Sequence, residues 1–393
     1  MIATLSRRLF LMSGVALWWA GGASAAEPLK LGVIASYSGA YADYGKQFDG
    51  GMAVYLAETG GTLAGRPVTF VRKDTAGAAP DLAARFAKEL IVRDKVDIIV
   101  GLDFSPNALA VAPVLTEAKV AGVVMNAASS VIPSRSPYIV RTSFTVGQVS
   151  APMAEWALKQ GIKQVTTLVA DYGSGHDAER AFQTVFKAGG GTILNPVRVP
   201  LSNPDFSAYV QRLKDDKPEA AFIFFPSGDL PTAFLRSFRE RGLAAAGVKL
   251  LATGEATDDA FLQNQGDDAA GALTTHHYSF VHDSPRNAAF TAAFRKIVGE
   301  GMRPSYMSVA AYDGLALIAT ALGKTGGKSD GPALVEAMKG TTLDSPRGPI
   351  LIDPTTRDIV QTVYIRKAER VNGQMVNVEF DAIPAVKDPG IAP

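Results

Sequence analysis

A strand–helix alternation begins at Leu29, runs to Met125 and starts again after Arg141, and it leaves few folds open to this chain. Short apolar and β-branched runs at 29–35, 68–73, 97–100 and 122–125 read as strands, and 45–58, 80–93 and 107–118 read as helices between them. In the middle helix, Leu82, Phe86, Leu90 and Ile91 recur at steps of three and four and therefore share one face. The second pass predicts helices at 151–160, 177–188, 206–214 and 230–241, and strands at 164–170, 193–199, 220–225 and 249–253. Repeated alternation of this kind implies a parallel sheet covered on both faces, so two passes predict an α/β chain of two Rossmann-like lobes. After a region at 272–280 the pattern changes. Helices at 286–300, 306–322 and 331–340 follow one another without strands, and strands at 348–352 and 360–368 come last. A chain that returns to complete both lobes gives such a tail, and its three crossings make a three-strand hinge.

The first residues carry a different signal. Ser6-Arg7-Arg8-Leu9-Phe10-Leu11, an apolar run at 12–20 and the small residues Ala23-Ser24-Ala25 describe an export peptide, too short to span a bilayer. The paired arginines followed by Phe and Leu resemble the twin-arginine type, with Met12 where that motif often has Lys. On this reading residues 1–26 are removed and the mature protein works in the periplasm of a Gram-negative bacterium. Cysteine is absent, so neither a lipid anchor nor a disulfide is expected and the core must hold the fold. The roughly 367 residues left are enough for two domains. A composition of 47% hydrophobic and 20% charged residues, with net charge +1, allows a large core and offers no basic face for nucleic acid. No second apolar stretch is read as approaching the roughly 20 residues that cross a bilayer, so a membrane partner would be a separate protein.

Open α/β sheets bind ligands where strands end and helices begin. The first lobe offers 36–44, 102–107 and 126–130. Ser105-Pro106 reads as the cap and first position of a helix, and free N–H groups there and at Ala127, Ala128 and Ser129 suit a carboxylate. On its own, Ser105 is equally a plain cap. Glu255 closes the strand in Thr253-Gly254-Glu255 and suits an ammonium or a phenolic hydroxyl, or else is a solvated loop acid. Asp103 either accepts a distal hydroxyl or faces solvent. Tyr41, Tyr44, Phe104, Tyr172, Tyr278 and Tyr306 fall at strand ends or crossings, where they sandwich a planar ligand or pack the core.

Other patterns point nowhere further. Gly173-Ser174-Gly175 with Ala178 fits a dinucleotide turn, but the next strand ends at Val199-Pro200-Leu201 without the acid that binds ribose, so no nucleotide cofactor is expected. Gly323-Lys324-Thr325 follows a helix and has Ile318 where a phosphate loop needs Gly. His276 and His277, as strand neighbours, should point to opposite faces and share no metal. No G-x-S-x-G elbow is present and no enzyme reading finds support. Arg236, Arg239 and Arg241 read as a solvated helix end that offsets the dipole.

A longer series of motifs carries a resemblance. In order they are Leu31-Gly32-Val33 with Ser38-Gly39-Ala40-Tyr41-Ala42-Asp43-Tyr44-Gly45, Gly65-Arg66-Pro67-Val68, Val100-Gly101 with Phe104-Ser105, Asn126-Ala127-Ala128-Ser129, Ile139-Val140-Arg141-Thr142, Asp171-Tyr172-Gly173, Asp205-Phe206, Gly254-Glu255, Ala311-Tyr312-Asp313-Gly314 and Arg347-Gly348-Pro349. Together they make the chain similar to the type I periplasmic solute-binding proteins of ABC importers. The branch in question binds leucine, isoleucine and valine and has relatives for aromatic carboxylates. The resemblance implies one lobe from 27–143 plus 277–348, another from 144–276 plus 349–393, and crossings near 142–145, 275–278 and 348–351. It implies that Ser105, Ala127, Ala128 and Ser129 hold a ligand carboxylate, that Glu255 stands at the family's ammonium-binding position, and that Tyr44 and Phe104 contact the ligand, with Tyr306 or Met307 beside them. Closure would come through Tyr172, Ser174, Gly175, Ser227 and Glu255. Ser174 and Ser227 stand where the family has tyrosines, which leaves room for a ligand larger than leucine. The implied partners are a small carboxylate, preferably aromatic, and an inner-membrane permease and ATPase, with no cofactor and the chain a monomer. Branched-chain amino acid transport, or ligand sensing on the same fold, is the alternative.

Overall fold

The computed structural model describes residues 27–202 and 204–390. The expected export peptide, 1–26, lies outside the described residues.

The alternation folds into two sheets. In the first, β1 (Leu29–Ala35), β3 (Arg66–Asp74), β4 (Ile98–Gly101), β5 (Ala121–Val124) and β6 (Ile139–Arg141) run parallel, and the two-residue β2 (Thr62–Leu63) is an antiparallel edge, giving the order β2-β3-β1-β4-β5-β6. Their register carries Leu31, Val33 and Val100 into one face's core and Ile34 and Ile99 into the other's. Both faces are covered, which is why these strands read as unbroken apolar runs.

The second sheet has nine strands. β7 (Gln164–Ala170), β8 (Thr192–Val199), β9 (Ala220–Phe224), β10 (Lys249–Thr253) and β11 (Leu273–His276) are parallel in the order β8-β7-β9-β10-β11. β12 (Thr342–Ser345), β13 (Gly348–Ile352), β14 (Ile359–Val371) and β15 (Gln374–Val386) extend it antiparallel, with β14 between β11 and β13 and β15 paired to β14. The strand expected at 360–368 is thus longer at both ends, and β15 was not expected. By hydrogen bonding β12 joins the second sheet. The expected helices at 45–58, 107–118 and 177–188 begin earlier, at Ala42, Ser105 and Gly173.

The chain passes between sheets after Arg141, leaves the second sheet after His276 for the helices Pro285–Val298, Tyr306–Lys324 and Gly331–Met338, and re-enters it at β12. The helix Tyr306–Lys324 corrects the expectation that no further stretch is long and apolar enough to cross a bilayer, since by length and composition it is. Its side chains are instead spent on the core. Val309, Tyr312 and Leu315 pack with Phe48 and Met52 of the helix Ala42–Glu58.

The crossings are pinned by buried arginines. Arg347 pairs with Asp313 and donates to the carbonyl oxygens of Thr142 (2.5 Å) and Ser143 (3.1 Å), so the first and third crossings are tied together. Arg366 on β14 donates to Thr274 Oγ1 (3.2 Å), to the Tyr278 carbonyl and to Gly254 O (3.2 Å). Arg236 and Arg239 are exposed, as expected of a solvated helix end, and both also reach Asp268, while Arg241 donates to Gln211 Oε1.

Candidate functional site

The ends of β4, β5, β7, β9 and β10 converge on one small cavity. Each end brings its own residues to it: Asp103, Phe104 and Ser105 after β4, Asn126 and Ala128 after β5, Tyr172 and Ser174 after β7, Phe224 and Pro226 at β9, and Glu255 after β10. Tyr44, Phe144 at the first crossing and Tyr306 complete the lining. Strand ends of both sheets meeting in one crevice are the placement that open α/β sheets give to ligands.

Local backbone explains two of these placements. At the end of β4, Gly101 has φ +94° and a Cβ there would lie 2.7 Å from Ile34 O, so only glycine turns the chain sharply enough to carry Asp103–Ser105 inward. After β7, a Cβ on Gly175 would lie 1.8 Å from Ala170 O, which lets the helix Gly173–Ala188 start against the strand end and place Ser174 in its first turn. Of the glycines that mimic a dinucleotide turn, Gly175 is therefore explained by packing, whereas a Cβ on Gly173 would meet nothing within 4 Å.

Two helix N-termini, one from each lobe, face each other here. The helix Ser105–Ala118 is capped by Phe104 and the helix Gly173–Ala188 by Tyr172, neither with a side-chain cap, and Ser105 Oγ and Ser174 Oγ lie 2.8 Å apart. Ser105 is therefore the first helical residue and not the cap that its sequence suggested. The same hydroxyl also accepts from the N–H groups of Ala128 (3.2 Å) and Ser129 (3.1 Å). Those amides, expected to be free, converge on Ser105 Oγ, and the Ala127 N–H donates to Leu102 O at 2.9 Å. First-turn amides and paired dipoles make this end of the cavity electropositive without a cation, and no Lys or Arg lines it among the described residues.

The opposite chemistry sits at Glu255. It is buried, its Oε2 has no hydrogen-bond partner among the described residues, and burial pushes its carboxyl up to about 7. His276 Nε2 is 3.7 Å from that oxygen, but burial holds the imidazole well below its ordinary range and neutral, so the contact is not an ion pair. The rings of His276 and His277 stack with centroids 4.2 Å apart, contrary to the opposite faces expected of strand neighbours, because β11 ends at His276. Asp103 is buried, which removes the solvated alternative. The Ser36 N–H (2.7 Å) and hydroxyl both donate to its Oδ2, and burial still raises it to about 6.

Six of the thirteen lining residues are aromatic, which suits a flat ligand. Tyr44 and Phe104 stack at 5.6 Å from the first lobe, Tyr172 and Phe224 at 6.1 Å from the second, and Tyr306 meets Phe144 edge-on at 5.7 Å.

Of the residues singled out from sequence, the structure brings Tyr44, Asp103, Phe104, Ser105, Ala128, Tyr172, Ser174, Glu255 and Tyr306 to the cavity wall. Tyr41, Ala127, Ser129, Gly175, Ser227 and Met307 stand behind it. Tyr41 packs edge-on against Tyr44 and Phe104, Ser129 Oγ donates to Asp177 across the lobes, Ser227 accepts from Tyr44 OH at its carbonyl (2.9 Å) and bonds Tyr306 OH (3.1 Å), and Met307 lies in the core. Tyr278 is also core, bonded to Asn287 Oδ1. Asn126, Phe144, Phe224 and Pro226 were missed. The strand-end rule applied to β9 would have found Phe224 and Pro226. Among the described residues, no group of three His, Asp or Glu side chains could hold a metal ion.

Residues 28–374 match the model of the family described as periplasmic binding protein. The chain belongs to that family. Among its curated relatives is the Leu/Ile/Val-binding protein homolog 6 of Brucella melitensis biotype 1, 41% identical over 373 residues that cover 95% of this chain and 96% of the relative. Among solved structures, the solute-binding protein of an ABC transporter from Rhodopseudomonas palustris BisB5, in complex with 3,4-dihydroxybenzoic acid, superimposes with a TM-score of 0.89 at 49% identity, covering 92% of this chain and 99% of its own. A solute-binding protein of an R. palustris ABC transporter in complex with 4-hydroxybenzoate gives 0.90 at 44% identity, covering 93% and 99%. The fold of this periplasmic binding protein is therefore that of the type I class, two α/β lobes with mixed sheets.

Proposed function

We propose that this protein is the periplasmic solute-binding component of an ABC importer and that it carries a hydroxylated aromatic carboxylate. The lobes, 27–143 with 277–348 and 144–276 with 349–393, would close over the ligand and present it to a separate permease and ATPase, the chain acting as a monomer. The observation that carries the reading is the polarity of one small, aromatic-walled cavity. Facing helix N-termini at Ser105 and Ser174 suit a carboxylate, and the unpartnered Oε2 of buried Glu255 suits a hydroxyl donor. Two structural relatives at 44% and 49% identity hold ligands of this kind. Both replacements of family tyrosines fall here. Ser174 is in the wall and Ser227 directly behind Tyr306, so their small side chains leave width for a ring.

One observation favours an amino acid instead. A curated relative carries a Leu/Ile/Val-binding name, and the family resemblance implies an ammonium-binding role for Glu255. Calorimetric titration of ligand-stripped protein against 4-hydroxybenzoate, 3,4-dihydroxybenzoate, benzoate and leucine decides between them. Binding of the hydroxybenzoates ahead of benzoate, with no heat from leucine, is the expected result. Leucine binding with silent benzoates would overturn it.

A further inference from the structure

The loop at 127–129 is aimed from behind by one buried guanidinium. Arg141 ends β6 and is wholly buried. Its Nη1 donates to Ala127 O (2.8 Å) and Phe144 O (3.2 Å), its Nη2 donates to Ser129 O (2.8 Å), and its Nε lies 2.6 Å from Asp358 Oδ1. The next carbonyl in the loop, Ala128 O, accepts from the Val146 N–H at 3.0 Å. In a trans peptide the C=O and the following N–H point in opposite directions. Fixing Ala127 O on Arg141 and Ala128 O on Val146 therefore turns the N–H groups of Ala128 and Ser129 away from the hinge, and both arrive on Ser105 Oγ. The aim of these two amides is set by the first crossing.

Asp358 lies between β13 and β14, beyond the third crossing, so it ties this aim to the C-terminal segment. The guanidinium's charge is met by one carboxylate and three carbonyl oxygens, which is what lets it sit out of water. Charge alone would not do the same work. A lysine has no planar fork to span two loop carbonyls and a carboxylate at once.

We propose that Arg141 is a positioning residue for the ligand's carboxylate, held in register by Asp358. Arg141 does not line the cavity and meets its wall only at the Phe144 carbonyl, and its effect passes through Ala128, Ser129 and Ser105. The inference rests on the reading that this end of the cavity takes the carboxylate.

The test is a pair of double-mutant cycles read as Kd for 4-hydroxybenzoate by calorimetry. Arg141→Lys is expected to raise Kd by about tenfold, the size lost with a charge-assisted hydrogen bond. Combined with Ser105→Ala it should add little to the weaker single variant, because both act on the same amides. Combined with Glu255→Gln, at the other end, the two factors should multiply. Multiplication in both cycles would show general loosening and overturn the proposal, as would an unchanged Kd in Arg141→Lys. Asp358→Asn carries the same two cycles if Arg141→Lys does not fold. A wild-type protein that binds no aromatic acid would instead refute the proposed function.

Discussion

Replacing Glu255 by glutamine should change how the stability of the ligand-free protein responds to pH. The folded carboxyl titrates near 7 because it is buried, against an ordinary 4.5 in the unfolded chain. Between those values the folded protein holds a proton that the unfolded chain has released, so stability is greatest below about 4.5, falls as pH rises and levels off above about 7. A gap of that width is worth about 3 kcal/mol, with no discount for screening since the group is fully buried. Asp258, also pushed up to about 7, and Asp103 and Asp358, near 6, give slopes of the same sign. Asp103 and Asp358 keep their slopes in both proteins, and Asp258 repels Glu255, so the difference between the two reports Glu255 together with that coupling. Urea unfolding at pH 5 and pH 8, a window that leaves out the lowest part of the gap, should show Glu255→Gln gaining about 2.5 kcal/mol on the wild type between the two. Parallel pH profiles would refute the buried, unpaired carboxyl. The same variant separates ligand classes. An amide oxygen still accepts from a phenol, so 4-hydroxybenzoate should lose tenfold or less, whereas an ammonium loses its counter-charge and leucine affinity should fall by more than about a hundredfold.

Tyr44→Phe removes the hydroxyl that bonds Ser227 O across the lobes, and should weaken ligand binding by about two- to tenfold in a calorimetric titration while leaving the melting temperature of the ligand-free protein nearly unchanged. Ser174→Tyr restores a ring to the cavity wall and should abolish binding of aromatic acids in a thermal-shift assay without unfolding the protein. Gly175→Ala forces a methyl to within 1.8 Å of Ala170 O and should destabilise the second lobe by about 1–3 kcal/mol in urea. Arg347→Met leaves Asp313 buried and unpaired and should cost about 3–5 kcal/mol, visible as a large drop in melting temperature.

The fold was legible where burial is two-sided. β1, β4, β5, β7, β9 and β10 are covered on both faces and appear as apolar runs between amphipathic helices, which no other architecture explains as well. β15 escaped because it pairs with β14 alone and leaves most of its second half exposed, so its sequence mixes Glu379, Asp381 and Pro384 among few buried residues. Helix starts were placed late for a related reason. Gly173-Ser174-Gly175 and Ser105-Pro106 are rich in turn formers, yet in the structure they are first turns, fitted closely to the strand ends before them.

The site was legible to the depth at which strand ends supply side chains, and no deeper. Ser105 and Ser174 could be found because they follow strands. The role of the Ser105 hydroxyl could not, because it depends on which amides from a distant loop arrive beside it. The loop's carbonyls are held by Arg141, which is buried with Arg347 and Arg366, arginines that composition alone would assign to the surface. Their carbonyl and carboxylate partners come from segments up to 217 positions away in the case of Arg141 and Asp358. Buried guanidinium groups bind backbone carbonyls at all three crossings, and the one at the first crossing, Arg141, also holds the loop at the cavity. Affinity and hinge geometry are then not separable properties in this protein. A substitution at the hinge that shifts Ala127 O or Ala128 O by a fraction of an ångström moves the amides that converge on Ser105, even though no hinge arginine reaches the cavity.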